Sequence, residues 1–458
     1  IIFFKLNLSL NIALVISFLS IGNEEICFGN FFFNFLNIIL FSKKGGELSG
    51  NLNNKGRNNL LPIARDVIKH AKAGTMRQAK DVMRLPASNY TDNNRFAAEL
   101  EKVIKRVPII LGPSCEIPNP GDFKTINVAE TSLILSRDKS GKANALINVC
   151  SHRGACLTKK EKGNSNRFTC PYHGWNFSNS GELIAISSED DFGKIDKNNY
   201  GLKSLPVYES AGLIWAIINP ESKVDIPSFL SGYDKMLETF SFSDWIFVSK
   251  RTFKGPNWKI AYDGYLEYYH VPVLHRETFG VDATNRGLYY SWGPHQHIKS
   301  PAVDKGHIAT ETLGYLAELI DKSEDEWDLE TLTYGVWTVF PTTSIASFDA
   351  GGRGVLISQI LPGKKVDESI TTQYYIMEKP PSDPEAAEEQ FDFFQQVVMN
   401  EDYATGASSQ PGLKEGVIDH VLFGRNEQGN QHFHLWVEKV LNAKNDEDLN
   451  AIFLNGAL

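Results

Sequence analysis

The spacing of apolar positions changes several times along this chain of 458 residues. Residues 1 to about 50 are rich in Ile, Phe, Leu and Asn, with apolar runs at Ile12 to Leu19 and Phe31 to Phe41. Lys5 is the only early positive charge, and Asn7, Asn11, Asn34 and Asn37 break up the region, so it makes a poor secretory signal or membrane anchor. Residues 1–59 are expected to be a leader that belongs to the reading frame rather than to the fold, the first methionine being Met76. Beyond Leu61, Ile63, Val67, Ile68 and Ala71 recur at helical spacing, and Phe96, Leu100, Val103 and Ile104 repeat the pattern, which predicts N-terminal helices over 60–106. At Val107 the period shortens. Runs rich in β-formers (Ile109 to Leu111, Phe123 to Val128, Ser132 to Ser136, Ala145 to Val149) alternate with the turn signals Pro118-Asn119-Pro120-Gly121 and Asp138-Lys139-Ser140-Gly141. The pattern predicts an α+β chain in which a small all-β domain of antiparallel sheets, 107–218, precedes a larger domain, 219–458. Far downstream, Asp383 is placed to cap a helix begun by Pro384, with Phe391, Phe394 and Val398 on its buried side.

Composition narrows the class. Apolar residues at 42% and charged residues at 22% are ordinary for a folded globular protein. A formal net charge of -9 argues against nucleic acid as the main partner, since phosphate binding usually needs a basic face. Five cysteines (Cys27, Cys115, Cys150, Cys156, Cys170) are too few and too unevenly spread for a disulfide framework, which fits a reducing cytoplasm.

Chemistry concentrates where the predicted fourth strand ends. Cys150-Ser-His152-Arg-Gly-Ala is followed, with seventeen residues between His152 and Cys170, by Cys170-Pro-Tyr-His173-Gly-Trp. Each short pair mixes a thiolate donor with an imidazole donor. Cys150 and Cys170 on one iron with His152 and His173 on the other would make a 2Fe-2S centre whose potential lies well above that of an all-cysteine cluster. Gly154 and Gly174 let backbone approach such a cluster closely. Tetrahedral zinc is the rival, but zinc fingers usually keep their cysteines together and their histidines together. Cys156 matches no ligand position and is expected to be a buried free thiol.

The two pairs resemble the Rieske centre of the Rieske non-haem iron oxygenases, the aromatic ring-hydroxylating oxygenase α subunits. A second block strengthens the resemblance: Asn257-Trp-Lys-Ile-Ala-Tyr-Asp-Gly-Tyr-Leu-Glu-Tyr-Tyr-His270-Val-Pro-Val-Leu-His275. On a helix from about Trp258, Asp263, Glu267 and His270 would fall at i, i+4 and i+7 and share a face. Pro272 disfavours helix at Val271, so His275 should follow a break. Two imidazoles and a distant carboxylate leave open positions on Fe(II) for O₂. Periodicity does not choose between Glu401 and Asp402 for that carboxylate. The family pattern, an acid pair ahead of a Gln-x-Gly-Leu-like stretch (here Gln410-Pro-Gly-Leu413), assigns Asp402.

The resemblance spans roughly residues 80 to 435 and implies a catalytic domain with an antiparallel sheet covered by helices, of helix-grip type. It implies that Glu267 bridges electron transfer between the Rieske centre of one protomer and the iron of its neighbour, hence a ring, most often a homotrimer, with or without a β subunit. Asp263 would support the site. Gly264 stands where the family often has Asn. Trp337, Phe340 and Phe348 are pocket or core aromatics. No Gly-x-Gly-x-x-Gly follows a strand, so NAD(P)H would act indirectly, through a ferredoxin or flavin reductase. The expected function is that of a terminal oxygenase hydroxylating an organic substrate with O₂. An aromatic compound leads by family frequency, and a quaternary ammonium or other non-aromatic substrate is the rival. A Rieske electron carrier without catalysis would leave His270, His275 and over two hundred residues unexplained.

Overall fold

The structure is a computed structural model that describes residues 54–279, 285–300, 322–327, 329, 335–349 and 353–456. Most of the expected leader, and the side chain of Phe348, lie outside the described residues. Helix α1 (Asn54–Ala73) begins within the stretch assigned to that leader and carries Pro62. It buries the predicted stripe Ile63, Val67, Ile68 and Ala71, and Leu60 with it. Strand β1 (Met83–Pro86) follows and then α2 (Asn93–Glu99), capped by Asp92, whose side chain accepts from Arg95 N. A strand in this region was not expected, because its partner lies at the far end of the chain.

The next stretch is all β. It comprises β2 (Ile109–Pro113), β3 (Asp122–Val128), β4 (Thr131–Arg137), β5 (Ala143–Ile147), β6 (Lys162–Asn164), β7 (Arg167–Thr169), β8 (Asn176–Ser178), β9 (Leu183–Ala185), β10 (Val207–Ser210) and β11 (Leu213–Ala216). These pair in three small antiparallel sheets, ordered β5-β4-β3-β6, β7-β8-β9 and β10-β11-β2. The first sheet is buried on both faces, Leu133, Leu135, Ala143 and Ala145 on one and Ile134 and Leu146 on the other.

A larger sheet follows, with β12 (Ile246–Gly255), α3 (Trp258–Asp263) and α4 (Val271–Leu274) leading to β13 (Leu288–Trp292), β14 (His295–Lys299), β15 (Gly335–Val339), β16 (Thr343–Asp349), β17 (Arg353–Pro362) and β18 (Ser369–Met377). Its seven described strands run β12-β18-β17-β16-β15-β14-β13, every described pairing antiparallel. One face meets the smaller β unit: Lys124 Nζ donates to Tyr374 OH at 3.3 Å, and Gln359 Nε2 donates to Ile110 O. The other face is covered by helices. Chief among them are α3 and α5 (Pro384–Val397), capped by Asp383 as predicted; a π-helical turn at Val398–Tyr403 joins α5 to α6 (Ala404–Lys414). Strand β19 (His420–Phe423) pairs with β1, and α7 (Gln428–Asn442) and α8 (Asp446–Asn455) close the chain. Trp337 and Phe340 are fully buried core residues; Trp337 stacks on His297 with ring centroids 3.8 Å apart. Among the described residues, no helix is long and apolar enough to cross a membrane.

Candidate metal centres

Two loops built on one plan bring the Cys-His pairs together. After β5, Gly154 N donates to Cys150 O at 2.9 Å and Cys150 N to Ala155 O at 2.8 Å; in the β7-β8 hairpin, Gly174 N donates to Cys170 O at 3.0 Å and Cys170 N to Trp175 O at 2.7 Å. Each turn closes on a glycine with positive φ, +73° at Gly154 and +67° at Gly174, a conformation that side chains rarely adopt. Both thiols are buried and free of disulfide. Burial pushes the Cys150 thiol up, and the backbone amides of His152 and Arg153, directed at it, oppose that shift. The His152 and His173 rings lie 4.7 Å apart, His152 stacks on Trp175 at 4.8 Å, and Tyr172 covers His173 at 3.7 Å. His173 Nδ1 is buried without a hydrogen-bond partner, which is costly unless a ligand takes its lone pair or proton. Adjacent buried thiols, converging imidazoles and an orphaned ring nitrogen fit a 2Fe-2S cluster. Cys156 departs from expectation: it is exposed, because it pairs with Val149 in an isolated bridge at the rim of the loop and its Sγ turns to Thr158 O, 3.3 Å away.

The second centre forms where α3 ends. Asn257 caps this helix: its side chain accepts from Lys259 N at 2.9 Å and donates to Tyr90 O and Val366 O. The helix stops at Asp263, so the expected single face of Asp263, Glu267 and His270 does not exist. Asp263 turns toward α7 and the N-terminal segment, accepting from Tyr90 OH at 2.6 Å and facing His434 Nε2 at 2.9 Å. The break therefore precedes His270. Val271 is helical after all, because Pro272 occupies the first turn of α4, where its missing N–H costs nothing.

His270, His275 and Asp402 converge, with one candidate ligand atom from each within 4.8 Å of the others. Asp402 Oδ1 lies 3.5 Å from His270 Nε2 and 3.2 Å from His275 Nε2. The opposite nitrogen of each ring meets a carboxylate: Glu267 faces His270 Nδ1, and Glu401 faces His275 Nδ1 at 2.7 Å and accepts from Thr278 Oγ1. Carboxylates on both Nδ1 atoms make those nitrogens the protonated ones and leave both Nε2 lone pairs aimed inward, the outer arrangement of histidines that hold metal. Burial works against a charged His275, but Asp402 and Glu401 outweigh it and raise its pKa above the ordinary value. The donor set fits Fe(II). Thr278, Tyr90 and His434 were not singled out from sequence; Glu401, there the alternative to Asp402 for the carboxylate, lies instead behind His275. Glu427 lies near Glu267 and Asp263, and burial together with those acids raises its pKa.

Two family models match this chain. The model of the Rieske [2Fe-2S] domain matches residues 107–207, and that of the ring hydroxylating alpha subunit (catalytic domain) matches residues 242–443. The anthranilate 1,2-dioxygenase large subunit of Acinetobacter baylyi is 31% identical over 202 residues, 42% of this chain and 43% of that protein. The carnitine monooxygenase oxygenase subunit of Escherichia coli is 27% identical over 373 residues, 78% of this chain and 93% of that protein. For several relatives, the anthranilate enzyme among them, the matched stretch is less than half of their own length. A crystal structure of a quaternary ammonium Rieske monooxygenase shares the fold, with a TM-score of 0.65 at 20% identity over 79% of this chain and 96% of the other.

Proposed function

Because this chain belongs to the Rieske non-haem iron oxygenases, we propose that it is a terminal oxygenase that hydroxylates an organic substrate with O₂. The observation that carries this reading is the inward-facing triad His270, His275 and Asp402, each histidine held from behind by its own carboxylate. In it, Cys150, His152, Cys170 and His173 hold the 2Fe-2S cluster, and His270, His275 and Asp402 hold the mononuclear iron. The cluster supplies electrons of raised potential, and Fe(II) with open positions supplies O₂ activation. The protein's own part is positional. Glu267 and Glu401 fix the two imidazoles by accepting from their Nδ1–H groups, Asp263 anchors the end of α3 through Tyr90 and His434, and the helix-covered sheet keeps water from the reacting carbon.

Electrons would come from a ferredoxin or flavin reductase that uses NAD(P)H in the cytoplasm. A closed ring, a trimer above all, would bring the Rieske loops of one protomer beside Glu267 of the next. Residues 60–106, 107–218 and 219–458 are taken as the N-terminal, Rieske and catalytic parts. An aromatic substrate accords with the anthranilate relative. A quaternary ammonium substrate is the second reading, favoured by the carnitine relative, of which this chain spans 93%.

The test is iron and acid-labile sulfide per chain on anaerobically purified protein. Wild type should hold the iron and sulfide of one [2Fe-2S] cluster plus one further iron. His270→Ala/His275→Ala should lose only the further iron; cluster iron alone in both would make the chain an electron carrier. A second assay separates the two neighbouring acids. Asp402→Ala should empty the mononuclear site, whereas Glu401→Ala, which removes only the support behind His275, should weaken iron binding about 10- to 100-fold. Equal iron retention in both variants would refute Asp402 as a ligand.

A further inference from the structure

Among the pairings of the large sheet, one row of directly opposed residues is polar from end to end: Gln296, Thr338, Ser344, Ser358, Gln373 and Arg251, on β14, β15, β16, β17, β18 and β12. Opposed residues of antiparallel strands point to the same face. That face is the helix-covered one, because Arg251 at the end of the row reaches Glu388 and Asp392 on α5. Five of the six are buried to 3% exposure or less. A polar ladder through the core of a sheet is expensive unless each group is satisfied.

The two ends of the ladder are satisfied. Gln296 Nε2 donates to Gly429 O at 3.1 Å, Thr338 Oγ1 donates to Gln296 O at 3.3 Å, and Arg251 has its carboxylates. The middle is not. Gln373 donates to Ser358 Oγ at 3.2 Å, but Gln373 Oε1 and Ser344 Oγ are buried with no partner. The Tyr265 hydroxyl, from the segment after α3, is buried beside them with no partner in good hydrogen-bond geometry, within reach of Ser358, Gln373 and Tyr403 and near Asp402. Gly264, next to it, leaves Asp402 Oδ1 open to within 3.8 Å of where a Cβ would stand. The unmet groups at the middle of the row thus lie together with Tyr265, which itself lies near the candidate iron ligand.

We propose that Ser344, Gln373 and Tyr265 form the polar end of the substrate pocket and receive a hydroxyl or amino group of the substrate. The proposal rests on the oxygenase reading and narrows its substrate class. Gln373 Oε1 demands a donor, and Tyr265 and Ser344 supply donors for an acceptor, so one O–H or N–H group satisfies what a bare hydrocarbon or a bare trimethylammonium group leaves unmet. Among the described residues no cation stands at the middle of the row, so the group received there is not an anion.

The experiment measures equilibrium binding to the anaerobic, metal-loaded enzyme with two shape-matched probe pairs, indole against indene and phenol against toluene. Wild type should bind indole and phenol at least about tenfold more tightly than their partners, the worth of one well-made hydrogen bond in a buried site. Ser344→Ala, Gln373→Leu and Tyr265→Phe, made singly, should each shrink that preference, while iron and sulfide contents stay at wild-type values. The thermal midpoints of Ser344→Ala and Tyr265→Phe should hold or rise, since each removes an unmet polar atom, whereas Gln373→Leu also gives up the bond to Ser358. An absent preference in wild type, or variants that keep it and melt earlier, would overturn the proposal and assign these atoms to a structural water network. The oxygenase reading fails separately: a protein that discriminates between the pairs but forms no hydroxylated product with any probe contradicts that reading and leaves the pocket intact.

Discussion

Glu267→Gln is expected to lower turnover about 10- to 100-fold while the mononuclear site keeps its iron. The Glu267 carboxylate is used on both sides: one oxygen meets His270 Nδ1, and the other accepts the backbone N–H groups of Tyr269 and His270. An amide accepts on one side only. Gln must therefore set an N–H either against the imidazole N–H or against the two backbone donors, and it removes the charge that faces the outer side of His270. His270 Nε2, His275 Nε2 and Asp402 Oδ1 are untouched, so iron should stay. Product formed per electron supplied, with iron counted on the same sample, measures the effect. A Gln variant with full iron and wild-type turnover would remove Glu267 from the proposed route between protomers. Glu267→Ala, which also frees the ring, should lose iron as well as rate.

The parts of the site that were legible in the sequence are those set by local geometry. The Cys-x-His and Cys-x-x-His loops are closed within a few residues by Gly154 and Gly174, so spacing alone revealed them. The stripes of α1 and α5 were visible because their apolar positions keep one period. What failed has a physical cause in each case. Nothing in the run from Trp258 to His270 forbids helix strongly, yet α3 ends where Asp263 finds Tyr90 and His434, residues from opposite ends of the chain. Periodicity left Glu401 and Asp402 open because on a regular helix the two flank the Phe391 stripe at comparable angles, and the π-helical turn at Val398–Tyr403, which rotates the acid pair relative to that stripe, is not written in the spacing. The polar ladder was invisible for a related reason: its members are single positions in six strands, and only the register brings them into a row.

The largest stability effect is expected at Glu99→Ala, about 3 to 5 kcal/mol. Glu99 and Lys259 form an ion pair with both side chains 1% exposed. Lys259 also donates to Asn89 O, and Glu99 accepts from Arg95 at 2.9 Å and from Trp258 Nε1 at 3.2 Å. Burial already holds the Lys259 pKa below its ordinary value, against the pull of Glu99. Removing Glu99 leaves that amine, the indole N–H and half of the Arg95 contacts without a counterpart in the core, so the loss reflects unpaired groups rather than one missing attraction. Denaturant midpoints on the metal-loaded protein would measure it. Glu99→Leu/Lys259→Met should recover much of the loss, since apolar replacements of similar volume strand no charge. The pair joins α2 to the first turn of α3, and α3 leads through Asp263 and Glu267 to His270. Glu99→Ala is therefore expected to weaken iron retention in the folded fraction also, whereas the double variant restores it if the ion pair acts only as a clasp. A double variant that is stable yet still loses iron would mean that α3 needs the direction of this polar contact, and not merely its bulk, to present His270.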